Sequence, residues 1–215
     1  MIMESNNLSG EFLHSLLAGN RHLSSQIIGN LAVAGLPVED IYEKIIRKSL
    51  YNIGDLWESG KISVATEHLA SAIVESVLNE MYSGIISKTR NNKTIIVASV
   101  ENEAHQIGIK MVADIFEMHG WNALFLGANV PTKDLISFIE DIRPDYIALS
   151  LSISFNISTL ESTIKHIQAG NPSMKILIGG QGLRTGGREI QMKYPDVFYI
   201  EDLYSLEVFI KKISC

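Results

Sequence analysis

The amino-acid sequence predicts an α/β protein, with an N-terminal four-helix bundle followed by a doubly wound parallel sheet of five strands. Three observations carry that expectation. Over residues 9 to 88 the apolar residues recur at helical spacing. After the polar stretch "SKTRNNK" short β-branched runs alternate with helical ones. Those runs are nearly continuous in apolar residues, as strands buried on both faces require. The expected units are residues 1–88, helical, and 89–215, α/β, with residues 86–93 as linker.

In the first unit "SGEFLHSLLAGN" and "RHLSSQIIGNLAVAG" read as short amphipathic helices, each closed by a Gly or Asn stop. "LPVEDIYEKIIRKSLYNIGDLWESG" opens with Pro37 near a first helical turn and carries Ile41, Ile45, Leu50 and Ile53. "ISVATEHLASAIVESVLNEMYSGII" holds Leu69, Ile73, Val77, Met81 and Ile85 at intervals of four, which predicts one buried face. In the second unit the strands are "TIIVAS", "ALFLG", "YIALSLS", "KILIG" and "VFYI". Helical stretches such as "GIKMVADIFEMHG" and "KDLISFIEDI" lie between them. Met111, Met118 and Met192 fall at helical spacings and are expected in the core.

Composition narrows the function. The chain of 215 residues is 46% hydrophobic, enough for real cores. It carries 18 basic and 24 acidic residues, a formal charge of −6. Without a basic surplus to neutralise phosphates, direct nucleic-acid binding is not expected. Cys215 is the sole cysteine, which excludes an internal disulfide and a cysteine zinc site. No apolar run approaches the ~18 residues of a membrane span, and the start lacks a signal-peptide pattern. A cytoplasmic location is expected.

In an open α/β sheet, ligands bind beyond the carboxyl ends of the strands, where strand order switches. After the first strand come Glu101, Asn102, Glu103, Ala104, His105, Gln106, Ile107 and Gly108. After the third come Ser150, Ser152 and Ser154, and after the fourth Gly179, Gly180, Gln181 and Gly182. "VENEAHQIG" is not a phosphate-cradling loop, which would be rich in Gly, Ser and Thr. The acidic cluster of a phosphoacceptor is missing, because the third strand ends in serines. "GGQGLRTGG" follows the fourth strand with the wrong spacing for a dinucleotide fingerprint. What remains is one histidine and a set of small residues on one rim.

These residues resemble the cobalamin-binding module, a helical cap plus a flavodoxin-like sheet domain. That module is shared by methionine synthases, corrinoid methyl carriers and light-sensing cobalamin-dependent repressors. The resemblance runs over roughly residues 10 to 210 and rests on Glu103-x-His105-x-x-Gly108, Ser150 and the pair Gly179-Gly180. It implies that His105 is the lower axial ligand of cobalt, followed by Gln106, Ile107 and the spacing glycine Gly108. It also implies that Ser150, Gly179 and Gly180 keep open a channel for the displaced nucleotide tail. Two departures stand out. Glu103 replaces the family's usual aspartate, in a position to hold the other imidazole nitrogen, and Ser152 replaces a leucine.

"IGDLWESGKISVATEHLA" resembles the cap of the repressors. The resemblance implies that Trp57 roofs an adenosyl group, with Glu67 and His68 bonding its ribose or adenine. Glu58 stands where the repressors place a second histidine. The expected function is a stand-alone sensory or regulatory protein, adenosylcobalamin-dependent and light-responsive, that acts through a protein partner or self-association and is not an enzyme. The alternatives are a methylcobalamin-charged methyl carrier working with methyltransferases, and a relative holding another tetrapyrrole, haem or bilin. Plainer roles also stand beside these: Trp57 as bundle core, Glu67 as a helix-dipole residue, Glu103 as a loop charge, the serines as strand ends, and Gly179-Gly180 as a turn.

Overall fold

The structure is a computed structural model that describes the backbone of residues 2–214 and the side chains of residues 8–213; Cys215 lies outside the described residues. The chain divides into two compact units, Met1–Ile85 and Ile86–Cys215. The break falls before residue 88 because the following residues are bonded into the second unit. The Ser87 N–H donates to the Glu117 carbonyl at 3.1 Å and the Asn91 N–H to the Gly120 carbonyl at 2.9 Å. Between them Arg90 pairs with the Glu117 carboxylate.

The first unit contains α1 (Ile2–Leu17), α2 (Arg21–Val33) and α5 (Val64–Ile85). Its remaining rod is continuous: α3 (Val38–Asp40), a π-helical stretch (Ile41–Arg47) and α4 (Lys48–Glu58). Stops and caps follow the sequence signals. Gly19 turns the chain with φ +66°, and the Asn20 side chain then accepts the Leu23 N–H at 3.0 Å to cap α2. Pro37 precedes the third rod. Ser63 accepts the Thr66 N–H at 3.1 Å at the start of α5. The rods bury Phe12, Leu16, Ile28, Ile45, Ile53 and Leu78.

The buried stripe of α5 differs from the expected ladder. Ala70, Ile73, Val74, Val77, Leu78 and Met81 are buried, whereas Leu69 is half exposed. Steps of four overshoot a full helical turn of 3.6 residues by about 40° each, so a strict ladder winds off the face it starts on. Alternating steps of three and four stay on it. Leu69 is the rung that winds off.

The second unit alternates strand and helix: β1 (Thr94–Ser99), α6 (Ile107–Met118), β2 (Asn122–Gly127), α7 (Thr132–Ile142) and β3 (Tyr146–Ser150). Then come α8 (Ile157–Gly170), β4 (Lys175–Gly179), α9 (Gly187–Lys193), β5 (Val197–Ile200) and α10 (Leu203–Ser214). All pairings are parallel, in the order β2-β1-β3-β4-β5. This is the predicted doubly wound, flavodoxin-like sheet. The inner strands β1 and β3 are buried almost throughout, as their Ile, Val and Leu runs require, and the edge strand β2 is not. Met192, expected in the core, is 79% exposed, because short α9 buries Gly187 and Ile190 and turns Met192 to the opposite side. Among the described residues no helix is long and apolar enough to cross a membrane.

Strand order reverses between β1 and β3, so the loops leaving those two strands diverge to opposite faces and open a crevice between them. Register places Ser99 beside Ser150, and Ser150 beside Gly179. A row of small residues therefore crosses the carboxyl ends of the three central strands.

Candidate functional site

The loop from β1 to α6 is folded around its own end. The Ser99 hydroxyl, fully buried, donates to the His105 carbonyl at 2.7 Å, and the Glu103 N–H donates to the Val100 carbonyl at 3.0 Å. Asn102 sits between them at φ +66°, a left-handed conformation that asparagine tolerates better than most residues. The side chain of Asn129 accepts the Asn102 N–H at 2.8 Å, and the side chain of Asn156 donates to the Asn102 carbonyl at 3.3 Å. Three asparagines from the loops after β1, β2 and β3 thus tie those loops together.

Glu103 is the centre of the arrangement. Its side chain is wholly buried, yet every lone-pair direction on it is in use. One oxygen, Oε1, accepts the His105 backbone N–H at 3.1 Å and also contacts His105 Nδ1. The other, Oε2, accepts the N–H groups of Ser152 and Ile153 at 2.8 and 3.0 Å. Burial alone would raise the carboxyl's pKa. The hydrogen bonds from the His105 ring, the His105 N–H and the two loop N–H groups outweigh it and hold the group below the ordinary glutamate range. The anion is therefore the resident form, and it fixes the imidazole by Nδ1 while the ring stays 57% exposed. With Nδ1 engaged, coordination chemistry at this histidine falls to Nε2.

The glycines around this loop are of two kinds. Gly180 has φ +112°, and a Cβ there would meet the Leu151 carbonyl oxygen at 2.3 Å. A Cβ at Gly182 would lie 2.9 Å from the Ser154 nitrogen, and one at Gly179 would lie 3.1 Å from the Ile200 carbonyl oxygen. Gly180 and Gly182 let the loop after β4 lie directly on the backbone after β3, and Gly179 admits the close approach of Ile200 at the end of β5. Gly108 is different: a Cβ there would meet nothing within 4 Å. A glycine in the first turn of α6 weakens the helix, and nothing among the described residues requires it.

The structure brings together Glu103, His105 and Ser152 by direct bonds, Ser150 and Gly179 by register, and Gly180 through Leu151. Ser152 contributes its backbone N–H to Glu103. Gln106 stands at the N-terminus of α6 with its side-chain oxygen against Gly127, and Ile107 and Gly108 form the first turn. Trp57, Glu67 and His68 belong to the helical unit. Trp57 is 47% exposed in the last turn of α4, which excludes it from the bundle core. Glu67 accepts the Ser71 hydroxyl at 2.9 Å and lies 3.5 Å from Nε2 of the exposed His68.

An α/β domain of flavodoxin topology, with an oriented imidazole at its switch point and a glycine-lined rim, defines a ligand-binding class of protein. Residues 93–205 match the family model described as B12 binding domain, and residues 8–81 match a second model of the same description. The chain belongs to the B12-binding domain family, so cobalamin is the cofactor class it takes. It is 26% identical over 155 residues to the HTH-type transcriptional repressor CarH of Myxococcus xanthus, covering 71% of this chain and 51% of the repressor. The match thus spans about half the repressor's length. It is 25% identical over 166 residues to trimethylamine corrinoid protein 1 of Methanosarcina mazei, covering 74% of this chain and 76% of that protein. The fold is similar to the monomethylamine corrinoid protein of Methanosarcina barkeri, with TM-score 0.79 over 97% of this chain and 99% of that one at 14% identity.

Two predictions follow from the geometry. Gly108→Ala stabilises the cofactor-free chain by about 0.5–1 kcal/mol, whereas Gly180→Ala destabilises it, since backbone must move; urea midpoints measure both. Glu103→Gln costs about 1–3 kcal/mol near neutral pH, because buried donors lose their acceptors. A depressed folded pKa gives stability that is present above the unfolded value and lost as pH falls through the folded one. The gap between native and variant midpoints therefore narrows as pH falls through the ordinary glutamate range and below it.

Proposed function

We propose that the chain carries cobalamin with His105 as the lower axial ligand through Nε2, and that it serves a separate protein partner. The observation that carries this reading is the Glu103–His105 pair. A buried, ionised carboxylate holds one nitrogen of a half-exposed imidazole at the switch point of the sheet. One imidazole supplies a single ligand, so a metal held there must bring its other ligands with it, as a corrin does. The unfilled surroundings of Gly108 fit such a group. Ser150, Ser152, Gln106, Ile107, Gly179 and Gly180 would line its lower side. When bound, cobalamin supplies a cobalt–carbon bond that light or nucleophilic attack can break.

The two finer readings differ in what sits above the corrin. The adenosylcobalamin sensor, implied by the resemblance to light-sensing repressors, is supported by the exposed indole of Trp57 at the end of α4, with Glu67 and His68 in the first turns of the next helix. In that reading light releases the adenosyl group and the loosened state is read by a partner or by a second copy. The methyl carrier is supported at least as well by extent of match, since the corrinoid proteins align over most of their own length. In that reading the partner is a methyltransferase.

Absorption spectra of the chain with adenosyl- and methylcobalamin, in the dark and after green light, separate the readings. The native chain should bind cobalamin with its own nucleotide base displaced, and His105→Ala should give the base-on spectrum or no binding. A native spectrum that His105→Ala leaves unchanged would overturn the assignment. Light-dependent change in oligomeric state selects the sensor, and methyl transfer from a partner selects the carrier. A haem or bilin spectrum in the isolated protein would select a different tetrapyrrole.

A further inference from the structure

Phe155 is 89% exposed, although it lies in a segment whose backbone is held on both sides. It occupies the single 3-10 turn Ser154–Asn156 between β3 and α8. On one side, Ser152 and Ile153 give their N–H groups to Glu103, and the Asn156 side chain donates to the Asn102 carbonyl. On the other, the Gly182 N–H donates to the Leu151 carbonyl at 3.0 Å, and the Gly182 Cα packs so closely that a Cβ would lie 2.9 Å from the Ser154 nitrogen. A mobile loop can fold an aromatic ring back onto its own surface. This loop is fixed with the ring outward, beside Ile153 at 46% exposure. A rigid, water-exposed aromatic loses little freedom when a partner covers it, which is the pattern of a binding hot spot.

The position of the loop selects the occupant. The carboxylate that anchors Ser152 and Ile153 is the same one that orients His105, and the two loops flank one crevice. We propose that Phe155, with Ile153, is the apolar contact for the corrin macrocycle, a positioning surface beside the axial ligand that sets how firmly the ring is seated. This inference rests on the reading of His105 as cobalt ligand. It assigns to Phe155 an apolar contact with the ring itself and none with the nucleotide tail. Because Phe155 is so exposed, its removal leaves the cofactor-free fold intact.

The test uses the full chain and two probes, hydroxocobalamin and cobinamide, the second lacking the nucleotide tail. Affinities come from absorbance titration, with far-UV circular dichroism and urea midpoints as fold controls. Phe155→Ala should raise Kd about 10-fold, equivalent to ~1.4 kcal/mol, for both probes. Its spectrum at saturation with hydroxocobalamin should match the native one, because His105 still ligates. Phe155→Leu should recover most of the affinity, as an apolar contact allows. The proposal is overturned if Phe155→Ala binds both probes as tightly as the native chain, if the loss is confined to hydroxocobalamin, or if leucine is no better than alanine. Unchanged affinity with lost binding of a protein partner also overturns it and makes the ring a protein contact. A native chain that binds neither probe sinks the His105 reading itself, and with it this one.

Discussion

A carboxylate buried without solvent is tolerated only when its oxygens are fully hydrogen-bonded, and Glu103 meets that requirement by drawing on two loops at once. The Coulombic and hydrogen-bond gain that keeps it ionised is the same interaction that orients His105 and fixes the turn after β3. Neither loop can relax without stranding the charge. The loop geometry of the site is therefore a consequence of one electrostatic constraint. The glutamate side chain reaches N–H groups on the neighbouring loop while still contacting the imidazole, which gives the departure from aspartate a structural purpose.

Around that anchor the chain uses the absence of side chains in two ways. Gly179, Gly180 and Gly182 are small because protein backbone fills the space beside them. Gly108 is small beside empty space, at some cost to helix α6. The first kind builds the platform; the second leaves room on it. Placing both at the carboxyl ends of parallel strands follows the general rule for open sheets, because only there do the loops diverge enough to admit a ligand.

Much of this was legible in the sequence. The strands announced themselves as β-branched runs, and their parallel pairing followed from the alternation with helices. His105, Gly108 and the Gly179-Gly180 pair stood out through their resemblance to a family motif, since each type taken alone also suits a plain loop, helix start or turn. The partners of Glu103 were not legible, since Ser152 and Ile153 give backbone N–H groups that any residue but proline would supply. Ser99 was invisible as a support for His105 because its role depends on where the loop returns. Asn102 and Asn129 carried a faint signal in asparagine's tolerance of positive φ, but their bonding depends on tertiary placement. Leu69 and Met192 misled because apolar identity was read without the phase of the helix.

The central claim is a bond from an imidazole of this chain to cobalt, and electron paramagnetic resonance of the reduced, cobalt(II) cobalamin complex tests it most directly. Nitrogen-15 is placed only in the histidines of the protein, while the cofactor keeps natural nitrogen. Axial ligation by His105 predicts that the triplet superhyperfine splitting becomes a doublet on labelling, and that labelled His105→Ala loses the doublet and shows a triplet where the cofactor's own base returns to the metal. A triplet that persists in the labelled native protein would mean that the cofactor's own base holds the metal, and would contradict the account.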